Sequence, residues 1–133
     1  MFYKKRHKII KSKNVNKDFL GTLHLGIFGL KAKSSGVLTD KQVETVRRVV
    51  AQKTKRSGKI KIRIFFQQPL TKKPLLTRMG KGSGSINRWV SHIKGGNILL
   101  EVSNIQKALA IKALKVACLR LPFKTVIVYK EFF

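Results

Sequence analysis

Acidic residues are nearly missing from this chain: 133 residues hold 5 Asp and Glu against 30 Lys and Arg, for a formal net charge of +25. The acids are Asp18, Asp40, Glu44, Glu101 and Glu131, too scattered to supply the tuned carboxylate pair of general acid–base chemistry. Histidine is as sparse, and His7, His24 and His92 show no spacing that would gather a metal, so no metal or cofactor is expected. A single cysteine, Cys118, excludes an intrachain disulfide and any multi-cysteine zinc site. It lies within an apolar helical pattern and reads as core packing. Lys107, Lys112 and Lys115 interrupt the longest apolar stretch, so no segment is expected to span a bilayer. Without a catalytic constellation, the chain reads as something other than an enzyme.

What is present is an apolar content of 43%, enough for one folded domain with an ordinary core. A basic surface is normally balanced by interspersed acids. Here cations outnumber acids six to one, and the body would repel itself unless a polyanion joined it. Nucleic acid offers a continuous lattice of phosphates and fits better than an anionic membrane surface. The chain opens directly into Lys4, Lys5 and Arg6 without a hydrophobic signal core, which predicts synthesis in the compartment of use. That would be a bacterium, or an organelle that encodes the protein itself.

Residues 1–19 form a basic arm without periodicity, expected to order only against a partner; its candidate contacts are Lys4, Lys5, Arg6, Lys8, Lys11 and Lys13. Residues 20–32 mix apolar residues with glycine and predict a twisted or bulged strand pair, and 34–36 a turn. Thr39 caps a helix whose Val43, Val46 and Val50 face inward while Arg47, Arg48, Lys53, Lys55 and Arg56 load the exposed face and far end. A strand follows, with Ile60, Ile62 and Ile64 on one side and Lys59, Lys61 and Arg63 on the other. Two strands over 89–93 and 97–102 read as a hairpin turning at 94–96. Asn104 is expected to cap a second helix, with Ile105, Leu109, Ala113, Val116 and Ala117 inward, before a last strand over 124–129. The order predicts an α+β fold: a mixed or antiparallel sheet with two helices, a long glycine-rich loop and the basic arm.

That loop, read here as a functional segment over 67–88, carries Arg78-Met79-Gly80-Lys81-Gly82-Ser83-Gly84. Glycines let backbone N–H groups come close to a ligand, and cations favour an anion there. A P-loop is excluded because Gly80-Lys81 is followed by Gly82, and a dinucleotide fingerprint fails on its third spacing. A flexible linker would also use glycine and serine. Lys72, Lys73, Arg78, Lys81 and Arg88 around the segment favour a phosphate-seeking finger instead. The aromatics Phe65 and Trp89 read as sheet core before base-stacking platforms.

These residues resemble the L-sixteen family of large-ribosomal-subunit proteins, related to the archaeal and eukaryotic L-ten-e group. The resemblance is carried by Leu38-Thr39-Asp40-Lys41-Gln42-Val43-Glu44 with Arg47-Arg48, and by Gly58-Lys59-Ile60-Lys61-Ile62-Arg63-Ile64-Phe65. It continues through Pro69-Leu70-Thr71-Lys72-Lys73-Pro74-Leu75 and Arg78-Met79-Gly80-Lys81-Gly82 to Trp89-Val90. The chain departs from the family at Ser83, where a lysine is usual, at Phe66, where proline is common, and throughout the first nineteen residues. The resemblance implies a structural protein of the large subunit, bound to large-subunit rRNA near the peptidyl-transferase centre beside neighbouring ribosomal proteins. It further implies support of the aminoacyl-site tRNA, with the loop reaching toward that centre.

The expected RNA-contacting residues are then Arg47, Arg48, Lys59, Lys61, Arg63, Lys72, Lys73, Arg78, Met79, Gly80, Lys81, Gly82, Ser83, Gly84 and Arg88. Abundant Ile, Phe and Lys suit an AT-rich genome and favour a mitochondrial ribosome, organelle-encoded, over a bacterial cytoplasm or plastid. A free-standing basic nucleic-acid-binding protein, of nucleoid or RNA-chaperone type, is the competing reading. No membrane partner is expected.

Overall fold

A computed structural model describes residues 5–8 and 21–131. Among the described residues the order is β1 (Phe28–Ala32), β2 (Gly36–Thr39), α1 (Asp40–Lys53), β3 (Lys59–Ile62), β4 (Gln68–Lys72), β5 (Ser85–Ile93), β6 (Ile98–Ser103), α2 (Lys107–Cys118) and β7 (Thr125–Tyr129). The fold is α+β, as expected, with every pairing between these strands antiparallel. The strands divide into two sheets, in the orders β3-β6-β1-β7 and β2-β5-β4.

Four expectations are corrected. The hairpin expected at 94–96 does not exist, because β5 pairs with β2 and β4 while both edges of β6 are taken by β1 and β3. Lys94-Gly95-Gly96 is instead a corner between sheets, held where the Gly96 N–H donates to the Ala32 carbonyl at 2.7 Å. Residues 20–32 yield one strand, β1, with a bulge between Leu30 and Lys31, rather than a strand pair. The turn read over 34–36 runs straight into β2, and β4 occupies part of what reads as one long loop.

α1 starts as its residues dictate. Thr39 Oγ1 accepts from the Gln42 N–H at 3.3 Å and Gln42 Oε1 accepts from the Thr39 N–H at 3.0 Å, a reciprocal cap that satisfies two otherwise unpaired donors. Val43, Val46 and Val50 are buried as the periodicity predicts. α2 differs: Asn104 has φ +59° and lies outside the helix, whose cap is Gln106 with no side-chain hydrogen bond. Its buried face is Ala110, Ala113, Leu114 and Ala117, and the small residues let the two helices approach closely. Ile105, Leu109 and Val116 are only half-buried.

Leu30, Leu38, Leu100 and Leu114 are the largest apolar side chains fully enclosed between helices and sheets. Each contributes about 1.5–3 kcal/mol by leaving water. Cys118 packs against this cluster, as its pattern implied. Phe65 does not: it is 77% exposed, because β3 ends at Ile62 and the chain leaves the sheet before reaching it.

Candidate nucleic-acid interface

β4 and β5 extend from the three-stranded sheet as a finger. Their register runs from Gln68↔Val90 through Leu70↔Arg88 to Lys72↔Ser85, with a bulge between Leu70 and Thr71. Beyond Lys72 the chain makes its tip and returns at Ser85. Gly84, at φ +90°, closes the tip; a Cβ there would sit 2.9 Å from the Lys72 carbonyl oxygen, so neither the space nor the backbone angle suits another residue. Lys73 Nζ donates to the Gly80 carbonyl at 2.7 Å across the loop. Lys81 sits at φ +55° between two further left-handed residues. A linker would carry no such cross-bracing. The tip has a built shape.

Among the described residues none covers it. Every residue from 74 to 88 is exposed, including Arg78, Met79, Gly80, Lys81, Gly82, Ser83 and Arg88, and the same holds for Lys72. Leu75, Leu76 and Met79 stand 88%, 103% and 96% exposed, three large apolar groups within five residues that a protein surface rarely presents without a partner. Cations beside uncovered apolar side chains match a surface that meets both phosphates and base faces. Phe65 adds an exposed aromatic face away from the tip.

The basic arm meets the finger at its root. Residues 5–8 were expected to order only against a partner, but Arg6 forms a parallel bridge with Leu70. Its carbonyl accepts from the Thr71 N–H at 2.9 Å, and its own N–H donates to the Pro69 carbonyl at 3.4 Å. The reason is that β4 is an edge strand whose outer backbone groups need partners. Lys5 and Lys8 therefore lie exposed beside the finger, while Lys4, Lys11 and Lys13 fall outside the described residues.

The other expected contacts divide by their internal partners. Lys59 and Lys61 are exposed on the outer face of β3. Arg63 turns to its own fold: its Nη1 donates to Glu101 Oε1 at 2.8 Å and to the Thr22 carbonyl at 2.8 Å. Glu101, an isolated acid in the sequence, is 1% exposed and also accepts the N–H groups of His24, Leu25 and Gly26, at 3.2, 2.7 and 2.7 Å. It holds residues 22–26 flat on β6, where a Cβ on Gly26 would meet the Glu101 Cβ at 2.8 Å. No sequence signal marks this role beyond the rarity of an acid in an apolar strand.

On α1, Glu44 accepts from Arg47 Nη2 at 2.6 Å and Nε at 2.9 Å, and from Arg48 Nε at 3.1 Å. Those hydrogen bonds, Arg47 first and then Arg48, hold its pKa at about 2, against an ordinary 4.5. A lowered folded-state pKa means the clamp is complete above pH 4.5 and is lost as pH falls through about 2. A carboxyl-carbon NMR titration is expected to place Glu44 near 2 in the native chain, and Arg47→Ala to raise it toward 4.5, with Arg48 still holding it below that value. A native titration near 4.5 would mean that the clamp does not form in solution.

Among the described residues no His, Cys, Asp and Glu cluster could hold a metal, and no helix is long and apolar enough to cross a membrane. Known proteins match nearly the whole chain. The family described as Ribosomal protein L16p/L10e matches residues 2–128. Large ribosomal subunit protein uL16 of Buchnera aphidicola subsp. Baizongia pistaciae is 44% identical, over 95% of this chain and 93% of that protein. The protein of the same name from Psychrobacter cryohalolentis is 46% identical over 93% of this chain and 91% of its own. That from Acinetobacter baylyi is 42% identical with the same coverage, 93% and 91%.

Proposed function

Because the chain belongs to the ribosomal protein L16p/L10e family, and is thereby a structural constituent of the large ribosomal subunit rather than an enzyme, we propose that it binds large-subunit rRNA and carries its finger toward the peptidyl-transferase centre. There the tip supports the aminoacyl-site tRNA, and neighbouring ribosomal proteins complete its surroundings. The observation that carries this reading is the finger itself: exposed from 74 to 88, shaped by internal bonds, cationic, free of acid and tipped with uncovered Leu75, Leu76 and Met79. Arg78, Lys81 and Arg88 neutralise phosphates, while Met79 and the leucines lie against bases. Lys59 and Lys61, Lys72 beside the arm, and Arg47 and Arg48 add backbone contacts that fix orientation without reading sequence. No membrane takes part.

The bacterial relatives support a ribosome of bacterial type. A chain rich in Ile, Phe and Lys supports a mitochondrial matrix as its setting, and the relatives fit a bacterial cytoplasm at least as well. Cell fractionation followed by immunoblotting separates those settings.

Gradient sedimentation tests the function. The protein is expected to travel with large subunits at moderate salt, and purified chain to bind large-subunit rRNA with a log–log salt slope that steepens by roughly 0.7–0.9 per phosphate neutralised. Protein remaining at the top of the gradient would overturn the reading. So would equal affinity for unrelated DNA and RNA, which is the behaviour of a free-standing basic nucleic-acid module.

A further inference from the structure

The C-terminal end of α1 has a feature that diffuse phosphate neutralisation does not require. Past Thr54 the chain enters Lys55 and Arg56, whose φ angles are +50° and +59°. Two consecutive residues with side chains thus lie in the left-handed region, where Cβ crowds the following carbonyl. Helices ordinarily leave through glycine at such a position. Here both positions are long cations.

The surroundings hold this turn firmly. Thr54 is buried, with its Oγ1 donating to the Val50 carbonyl at 2.9 Å. The Arg56 N–H donates to the Ala51 carbonyl at 2.9 Å, and Ser57 Oγ donates to the Thr54 carbonyl at 2.6 Å. A backbone outlier fixed from several sides is a reason to ask what it positions. Lys55 and Arg56 join Arg47 and Arg48 around one concavity of about 690 Å³, which Ala51 and Gln52 also line. Arg47 and Arg48 arrive already oriented by Glu44.

Cations at a helix C-terminus also complement its dipole. That accounts for their sign, and the Lys55 and Arg56 N–H groups, donating to the Gln52 and Ala51 carbonyls at 3.2 and 2.9 Å, close the helix as a Schellman-type cap that accounts for the left-handed angle at Lys55. Neither accounts for two long cations, and a second left-handed residue at Arg56, where glycine would carry no strain. Four cations set against one carboxylate exceed what a single phosphate needs. A sharp bend in a nucleic-acid backbone, or a crossing of two strands, brings phosphates together.

We propose that this concavity seats closely spaced phosphates of a bent or strand-crossing rRNA segment, separately from the finger. The left-handed turn aims Lys55 and Arg56 at them, and Glu44 acts as the positioning residue for Arg47 and Arg48. The inference rests on the rRNA-binding reading above.

The test uses the full chain with Lys55→Gly and Arg56→Gly together. Glycine accepts both backbone angles, so the turn survives while the cations go. The unfolding midpoint is expected to stay within about 4 °C of the parent or to rise. Affinity for large-subunit rRNA is expected to fall at least tenfold at moderate salt, with a salt slope shallower by roughly 1.4–1.8 for two lost phosphate contacts. Hydroxyl-radical footprints should vanish from one bent or crossing segment while those of the finger persist. Lys55→Asn with Arg56→Asn, also tolerant of the left-handed region, should behave alike.

A double-glycine variant with parental affinity, slope and footprint overturns the inference and leaves the rRNA reading standing. Loss of protection on a straight duplex, or contacts that map to an acidic protein segment, overturns it as well. If the parent chain itself shows no preference for large-subunit rRNA, the broader reading fails and the inference falls with it.

Discussion

Glu101→Ala is expected to remove about 3–5 kcal/mol from the stability of the fold, the range seen when one partner of a buried charged network is deleted. The carboxylate is 1% exposed and satisfies three backbone N–H donors together with Arg63 Nη1. Its removal leaves Gly26 N–H buried without an acceptor, and residues 22–26 lose their hold on β6. Arg63 is 28% exposed and can turn partly to water, which draws the cost toward the lower end of that range. In a chain of this length the midpoint of thermal unfolding should drop by about 10–20 °C. Glu101→Gln keeps the shape and one acceptor but turns an NH₂ group toward N–H donors, so its loss should be smaller.

The same network sets an acid dependence. Burial pushes the Glu101 pKa up, and the N–H groups of Gly26, His24 and Leu25, with Arg63, outweigh it, leaving the group below its ordinary 4.5. A carboxyl with a lowered folded-state pKa contributes stability above the unfolded value and loses it as pH falls through the folded one. The stability gap between native chain and Glu101→Ala should therefore be full at pH 7 and narrow progressively below pH 4.5. Denaturant titrations at several pH values measure it. A gap that stays constant down to strong acid would show that the charge on Glu101 contributes nothing.

Glu101 also marks where reading residues in order stops working. α1 is legible because its signals are local: Thr39 and Gln42 are three residues apart, and Val43, Val46 and Val50 share one face. β3 is legible because Ile and Lys alternate. The backbone donors to Glu101 lie 75–77 positions away and Arg63 lies 38 away, and only the folded sheet brings them to it. The separation into two sheets is hidden for a similar reason, since the 89–102 region looks like a hairpin until β1 and β3 are seen to occupy both edges of β6. β4 is disguised by Pro69, a residue confined to edge positions because it cannot donate to a ladder; that edge position then lets Arg6 dock beside it. Within the candidate interface, glycine spacing and cation density pointed to the finger. The internal duties of Lys73, Arg63 and the Glu44 clamp were not legible, because a lysine or arginine reads the same in sequence whether it faces solvent or its own chain.

Replacing residues 73–84 with Asn-Gly is expected to keep the fold and the rRNA binding while impairing translation. Lys72 already pairs with Ser85, so a two-residue turn can join them without moving the strands. Removing the tip exposes no core, because every residue from 74 to 84 is already exposed. Shortening the closed loop from twelve residues to two should even stabilise the domain, by about 1–2 kcal/mol on loop entropy. Large subunits carrying this variant are expected to synthesise peptide at least tenfold more slowly or to stall late in assembly, while rRNA binding through the remaining cations persists. Arg78→Ala with Lys81→Ala removes the tip charges and leaves its apolar groups; Leu76→Ser with Met79→Ser does the reverse. If phosphate contacts dominate, the first pair should reproduce most of the deletion and flatten the salt dependence by roughly 1.4–1.8. If base contacts dominate, the second pair should do so with the salt slope unchanged. A deletion variant that supports translation at the parental rate would remove the finger from the mechanism, whatever its shape and charge.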